Sequence, residues 1–599
     1  MRRFRRRARR QWPAFLVALL LLAVTGGWLG WQAWQLQHAL TQARSAVSDL
    51  EQAVRGGHLA DAPALLQRVQ QPSHQAGQVS RDPVWRLASH VPVLGANLAV
   101  GGGLAQAVDD LATDVLPGTI QGALLLTSAR TPDRSAVDVA AFGSAAGQLR
   151  RSADAAVAVQ TRLRALGDDS VLAPLSTARE TLTARVDGLT TTLAGAALAA
   201  ETVPALLGSH SPQRYFLALQ NNAESRGSGG LTAAFGIIAA DRGALTLTRT
   251  GVNDELREPA TAPLDLGRDF AARYGRSQAT RSWLNANESP DFPTTGRILT
   301  SLWNATEAQP VDGVVAIDPV AISYVLQATG PVTLQDGTSV TAANVVDLTL
   351  RQLYERYPDD ASTSGRTRFL QELVRQAFDQ ASRAPRNPAA LAERLGRAVL
   401  EGHLQVYSNH PDLQRRLETT RIAGALPAGT PNVLQVVTQN LAGGKLDYYL
   451  RRDIRYTATG TGRAVDIGDG AGPQIEQAGQ LTLTLTNTAP ASGLPTYVTK
   501  RADLPAGTKY PAGRNRLWVS VYLGRGAQLD TATVNGKPVS MSSERERGLN
   551  VFSTVVEIDP GASVVLRLGV FQPTPGGAIL TYRSQPLAVP DQVELTAPR

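Results

Sequence analysis

QNNAESRGSGGLTAAFGIIAAD, residues 220–241, decides how the chain is read. It links an apolar strand expected over 215–219 to a second over 231–240 through a segment of amides, charges and glycines. Gly227, Gly229 and Gly230 admit positive φ and the close approach of a ligand to the backbone. Glu224 and Arg226 place opposite charges at a strand end, where sites are often built, and Asn221 and Asn222 add amides beside them. These residues form a candidate binding site. In the other reading the glycines only turn the chain and Glu224 pairs with Arg226 as structure.

Outward from this stretch, residues 209–427 alternate strands with helices, the pattern of an α/β domain. A strand over 244–252 follows the turn Asp241-Arg242-Gly243. A short buried strand over 311–317 leads to Asp318, expected to cap a helix that starts at Pro319 and ends at Gly330. Thr341 should cap a helix over 342–357, and a second amphipathic helix should begin near Arg366.

Toward the N-terminus, MRRFRRRARRQ precedes an uncharged apolar run over 13–31, close to the ~20 residues that cross a bilayer. The arginine block, residues 1–12, predicts a cytoplasmic tail, and 13–34 a single-pass membrane anchor with Trp28, Trp31 and Trp34 in the far interfacial belt. The bulk of the chain is then extracytoplasmic. A cleavable signal peptide is disfavoured, because the apolar run is long and lacks a convincing cleavage site. Residues 35–208, rich in Ala and Leu with three- and four-residue apolar spacing, predict a helical bundle or stalk. Within it, Trp85, Leu87 and Val91 are expected in the core.

Past residue 427 the period changes to two. Alternating runs at 481–487, 516–524, 531–539, 550–559 and 563–570, separated by turns such as Asn535-Gly536, predict an antiparallel β-sandwich over 428–599. Residues 445–456 should enter it as an early strand. The fold class is therefore multidomain α+β: anchor, helical bundle, α/β domain and sandwich.

Composition narrows the function. The net charge is +8, but seven of the 59 basic residues lie in the first ten positions, leaving 52 against 51 acidic ones. That balance removes the electrostatic support for a nucleic-acid partner. The absence of cysteine excludes thiolate chemistry, and seven scattered histidines offer no zinc spacing. No G-x-S-x-G elbow or Walker loop is present.

QNNAESRGSGG, SPDFPTTGRILTSLW (289–303), VDGVVAIDPVAISYVLQATGPV (311–332) and RDPVWRLASHVPVLG (81–95) together resemble the actinobacterial domain of unknown function numbered four-zero-one-two. The middle domain also distantly resembles the LytR-CpsA-Psr phosphotransferases, single-span enzymes that move glycopolymers from a polyprenyl-diphosphate carrier to the cell wall. LALQNNAESRGS, LTAAFGIIAAD, LTLTRTGVND, VVAIDPVAISYVLQATGPV and LTLRQLYERY…GRTRFLQELVRQAF follow that family's order. The resemblance places Arg226 at the loop arginine, Arg249 or Asn253-Asp254 at the third strand's end, and Arg351, Arg356, Arg366 and Arg368 in the late basic cluster. It departs where the enzymes carry Ser-Asp-Thr, because Gly230-Leu231-Thr232 lacks the carboxylate.

A diphosphate needs guanidinium forks and usually a divalent ion on carboxylates. The candidate ligand-binding set is accordingly Asn221, Asn222, Glu224, Arg226, Gly229, Gly230, Arg249, Asp254, Arg351, Arg366 and Arg368. Mg²⁺ would fall to Glu224 and Asp254, with Asp291 a further candidate. Arg351 and Glu355 also stand four apart on one helix, enough for a plain ion pair. Two functions follow: an envelope protein that binds a polyprenyl-phosphate lipid or cell-wall polymer, or a metal-dependent phosphotransferase. In either, the loop 221–230 and the cluster that includes Arg366 are expected to face one another across a groove.

Overall fold

The computed structural model describes residues 4–55, 58–91, 95–129, 136–167, 172–359, 361, 363–382, 388–460, 464–465, 474–505, 507–574 and 580–596, with side chains of the first helix from residue 27. The chain divides into two compact units, residues 1–131 with 137–205, and residues 132–136 with 206–599. The architecture is multidomain α+β with mixed sheets.

The first unit is helical. Phe4–Arg55 is one helix, followed by Ala62–Arg81, Pro83–Ala88, Gly95–Asp110, Leu116–Ser128, Val139–Ala165 and Ala173–Leu206. Small residues let these helices approach closely: Ala39, Ala76 and Ala105 pack with Leu36, Val79 and Trp85. The side chains of most of the expected anchor lie outside the described residues, while Trp28, Trp31 and Trp34 are exposed. Among the described residues one helix, Ala173–Leu206, is long and apolar enough to cross a membrane, with mean hydropathy 1.2. Its Val186, Leu193, Ala197 and Ala200 are buried in this unit's clusters. Asp82 caps the helix at Pro83 through Val84 N (2.8 Å), and Trp85 is core as expected. Leu87 and Val91 are not: they are 77% and 48% exposed, Leu87 because the six-residue helix buries only the face of Trp85, and Val91 because it lies past the helix end.

The second unit contains the stretch 220–241. Its mixed sheet runs β3 (Ala244–Val252), β2 (Gly229–Asp241), β1 (Gln213–Arg226), β4 (Gly313–Ile317), β5 (Leu404–Ser408), with β1 parallel to β4 and the other pairs antiparallel. Alternation along β1 divides its side chains between two cores. Phe216 and Ala218 join Phe235, Trp283, Leu299 and Trp303 on one face, and Tyr215 and Leu217 join Ile238 and Val374 on the other. Each fully buried aromatic contributes about 1.5–3 kcal/mol. Phe216 stacks on Phe235 at 5.6 Å and on Trp283 at 5.5 Å.

The expected loop at 220–230 is mostly strand. β1 continues to Arg226 and β2 begins at Gly229, leaving a turn at Gly227-Ser228, with register shifts at 219/220 and 221/225. The polar residues remain extended because the sandwich residues behind them supply hydrogen-bond partners. The helix expected over 342–357 is interrupted, running Val345–Asp347, then a wider turn over Leu348–Gln352, then Leu353–Arg356.

The sandwich follows. One sheet centres on Gln474–Asn487 between Leu450–Gly460 and Ser563–Thr574, the other on Asn515–Leu523 between Leu549–Ile558 and Val433–Asn440. Leu481, Leu483, Leu485, Val519, Val521 and Leu566 form its core. It is not purely antiparallel, since Thr581–Arg583 and Gln592–Thr596 add to the two sheets in parallel. Leu446–Tyr449 is a 3-10 turn, so the strand expected from 445 starts at Leu450. The strand Val433–Asn440, buried along its whole length, had no alternation to reveal it.

Candidate functional site

The end of β1 is a buried polar network. Arg226 Nη2 donates to Glu224 Oε1 (3.0 Å), its Nη1 to the carbonyls of Ser225 (3.1 Å) and Asn440 (3.3 Å), and its Nε to Leu284 O (3.3 Å). Glu224 Oε2 receives Lys445 Nζ. Burial would raise the Glu224 pKa, but Lys445 and Arg226 outweigh it and hold the carboxyl below its usual range. Asp447 accepts from Ser225 N (2.8 Å), Ser225 Oγ (2.6 Å) and Asn515 Nδ2 (2.8 Å). Burial nevertheless pushes its pKa up. Glu224 and Arg226 are thus a structural pair joined to the sandwich through Lys445, a residue that carried no sequence signal.

The amides are also committed. Asn221 Nδ2 donates to Tyr354 Oη (2.5 Å), and Asn222 Nδ2 to Asp318 Oδ2 and Pro586 O, both at 3.0 Å. Asp318 caps its helix through Ala321 N (3.0 Å) as expected, and also holds His403 Nδ1 at 2.6 Å. The glycines serve packing. A Cβ on Gly227 would stand 2.0 Å from Glu288 O, one on Gly230 would stand 2.2 Å from Asn221 O, and Gly229 has φ +144°.

The remaining predicted arginines are satisfied elsewhere. Arg249 pairs with Glu307 (2.9 Å) and lies over Phe235 and Trp303. Arg351 takes Asp347 at 2.6 Å and Glu355 at 2.6 Å, and Arg356 takes Asp336 at 2.9 Å. Arg368 Nε donates to Ser364 O (3.3 Å) at the surface. Arg366 donates to Tyr357 O (2.6 Å), Asp359 O (2.7 Å) and Thr363 Oγ1 (2.6 Å), with its guanidinium 3.8 Å from the Tyr497 ring centre. Tyr497 stacks on Tyr354, which receives Asn221, so loop and Arg366 meet through a tyrosine pair. Of the proposed metal carboxylates, Glu224 is taken by two cations, Asp254 lies on an exposed turn, and Asp291 caps the helix at Phe292 and accepts Leu426 N (2.8 Å). Among the described residues no group of three or more such ligands gathers.

Beside the turn at Gly227-Ser228 lies a cavity of about 200 Å³ that also draws walls from β5, the strand Val433–Asn440 and the strand Thr581–Arg583. Arg421 and Arg583 line it, and a second cavity of about 450 Å³ shares both as walls. Among the described residues neither guanidinium has a carboxylate within ion-pair distance. Burial, then the charge of Arg421, lower the Arg583 pKa to about 10, with Asp291 opposing. Arg583 therefore stays protonated at neutral pH. Ser228, Gln405 and Gln435 border the same space, 1%, 4% and 3% exposed, and Ser228 Oγ, Gln405 Oε1 and Gln435 Oε1 are buried without a hydrogen-bond partner. A third, mostly apolar cavity between β1, β2 and the helices Pro319–Thr329 and Thr363–Ser382 measures only about 40 Å³, room for a water or two but not a lipid chain.

The arginines of this cavity were missed because they are remote from the glycine turn in sequence, one on a 3-10 turn and the other on a late three-residue strand. No local pattern announces such a pairing.

Fold and site define an α+β envelope of polar contacts in which an α/β sheet end is closed by a β-sandwich and flanked by an arginine-walled cavity. Within this chain, residues 210–354 match the family described as "Protein of unknown function (DUF4012)". That span contains the stretches 220–230, 289–303 and 311–332, while 81–95 lies outside it. No curated protein and no solved structure matches the chain.

Proposed function

We propose that this chain is a membrane-anchored, extracytoplasmic cell-envelope protein that binds a phosphate-bearing lipid or envelope polymer. The observation that carries the reading is the pair Arg421 and Arg583, which line one cavity and, among the described residues, have no carboxylate within ion-pair distance, although Glu401 lines the same space. Arg583 is half-buried and Arg421 exposed, and two neighbouring guanidiniums are stabilised by an anion, with a fork geometry that suits phosphate. The arginine block before the apolar run and the exposed Trp28, Trp31 and Trp34 support the anchor and its orientation. The same reading places the chain among actinobacterial envelope proteins and its α/β part as a remote relative of the LytR-CpsA-Psr phosphotransferases, supported by the shared order of segments.

The test is titration of the detergent-extracted full chain with polyprenyl phosphate, with and without Mg²⁺. Arg421→Gln and Arg583→Gln should each weaken binding about ten- to hundredfold, the loss of one charge-assisted bond. Arg366→Gln should leave affinity unchanged. Absence of binding by the wild type overturns the reading, and release of polyprenyl phosphate from a glycan-bearing polyprenyl diphosphate, with the glycan phosphate passed to an acceptor hydroxyl, would replace it by the transferase. A C-terminal reporter active only in the cytoplasm would overturn the topology.

A further inference from the structure

In the helical unit, the helix Ala62–Arg81 runs antiparallel to the first helix, Phe4–Arg55. Leu50 packs with Ala62, Leu66 and Val69, and nearer the expected anchor Leu36 and Ala39 pack with Ala76 and Val79. The chain therefore returns to the level of residues 28–32, at the end of the apolar run, before the helix Pro83–Ala88 begins. Side-chain hydrogen bonds from Gln32 and Trp28 to Asp82, the carboxylate that caps this helix, fix that level. Six helical residues span only ~9 Å, so Leu87 stays close to it. Trp85 Nε1 donates to Leu98 O (3.1 Å), and the neighbouring Asn97 Oδ1 accepts the Leu172 N–H (2.7 Å), which brings a third connection to the same end. Among the described residues this unit exposes seven large apolar side chains, and all but Val157 belong here: Trp28, Trp31, Trp34, Leu87, Val91 and Leu172. Single exposed apolar residues are ordinary, whereas a set gathered at one end of a bundle marks an interaction surface. Arg86, exposed beside Leu87, has no carboxylate partner among the described residues. Tryptophan, aliphatic side chains and a free arginine together suit the interface of a bilayer.

We propose that this end of the helical unit lies in the bilayer interface, with Leu87, Val91 and Leu172 among the outer parts of the acyl chains and Arg86 at the lipid phosphates. The proposal rests on the anchor reading above and adds to it a second, non-spanning membrane contact, assembled from segments far apart in sequence. Continuity selects the bilayer over a protein partner, since the patch begins at Trp28 and Trp31, where the apolar run ends. A span alone does not set the tilt of what it carries, and interfacial side chains beside it restrain that tilt.

The chain has no cysteine, so a single introduced one carries a unique fluorescent label. Leu87→Cys and Leu172→Cys are compared with Val157→Cys, an exposed position on the helix Val139–Ala165, in the full chain reconstituted into vesicles of phosphatidylglycerol and phosphatidylcholine. Leu20→Cys reports on the expected anchor. All three side chains replaced outside the anchor are exposed, so the fold does not depend on them. The labels at positions 87 and 172 should be quenched by lipids that carry a nitroxide near the head-group end of the acyl chain. They should also lose most of the quenching by aqueous iodide that is seen at position 157. Iodide quenching at positions 87 and 172 equal to that at 157, with the label at position 20 shielded, overturns the interfacial contact and leaves the anchor in place. A label at position 20 open to iodide overturns the anchor and this proposal with it.

Discussion

The two sides of the turn at Gly227-Ser228 hold arginines in opposite circumstances. On one side Arg226 is buried against Glu224 and three carbonyls, and Lys445 adds a second cation to the same carboxylate. On the other, Arg421 and Arg583 line one cavity and, among the described residues, neither has a carboxylate within ion-pair distance. A glycine turn with arginine beside it therefore does not identify a binding site. What separates the two is whether the counter-charge belongs to the protein. Arg226 has its own, so its desolvation is already offset and it has nothing left to offer a ligand. Arg583 has not, and its pKa is lowered by burial and by Arg421.

The largest expected effect breaks the closed side. Lys445→Met leaves Glu224 buried with one cation fewer and should destabilise the second unit by about 3–5 kcal/mol, read as a lower urea midpoint at constant slope. A change below about 1 kcal/mol would mean that Arg226 alone neutralises the carboxylate. Next, Gly227→Ala forces a Cβ toward Glu288 O and should cost about 1–3 kcal/mol. That loss should appear on both sides, lowering stability and phosphate affinity together.

A pH profile sharpens the comparison at the Asp318–His403 pair, whose Asp318 also receives Asn222 from β1. Burial alone would lower the His403 pKa, but the charge and hydrogen bond of Asp318, with Glu401 nearby, raise it. Its contribution is fully present below roughly pH 6.5 and is lost as pH rises through the higher folded-state value. The wild type should lose stability on going from pH 6 to pH 9, and His403→Gln should lack that component of the slope. An identical slope in both proteins would remove His403 as its source.

Smaller still, Arg583→Gln should leave the unfolding midpoint unchanged or slightly raised, because it removes a half-buried charge beside Arg421. Clear destabilisation would show that Arg583 is a structural arginine after all, like Arg226. A comparably small effect, a loss of about 0.3–1 kcal/mol in the unfolding free energy, is expected from Arg351→Ala, whose ion pairs with Asp347 and Glu355 are partly exposed.

The sequence by itself determined several strands of the sandwich, such as Gln474–Asn487 and Asn515–Leu523, from their two-residue alternation, and the helix at Pro319 from Asp318 and the proline after it. It also determined that Arg351 would find Glu355, since four residues on a helix fix that contact. These are local matters, settled by periodicity, capping and spacing. The tertiary structure decided the site. Lys445 reaches Glu224 across 221 residues, and Gln585 donates to Arg226 O across 359. Such contacts convert a polar stretch that reads as a loop into buried strand, because distant residues replace the water it would otherwise need. The same packing brings Arg421, Arg583, Gln405 and Gln435 around the turn at Gly227-Ser228. Whether a charged side chain is structural or free to bind depends on which distant partner the fold delivers to it, and local sequence carries no record of that partner.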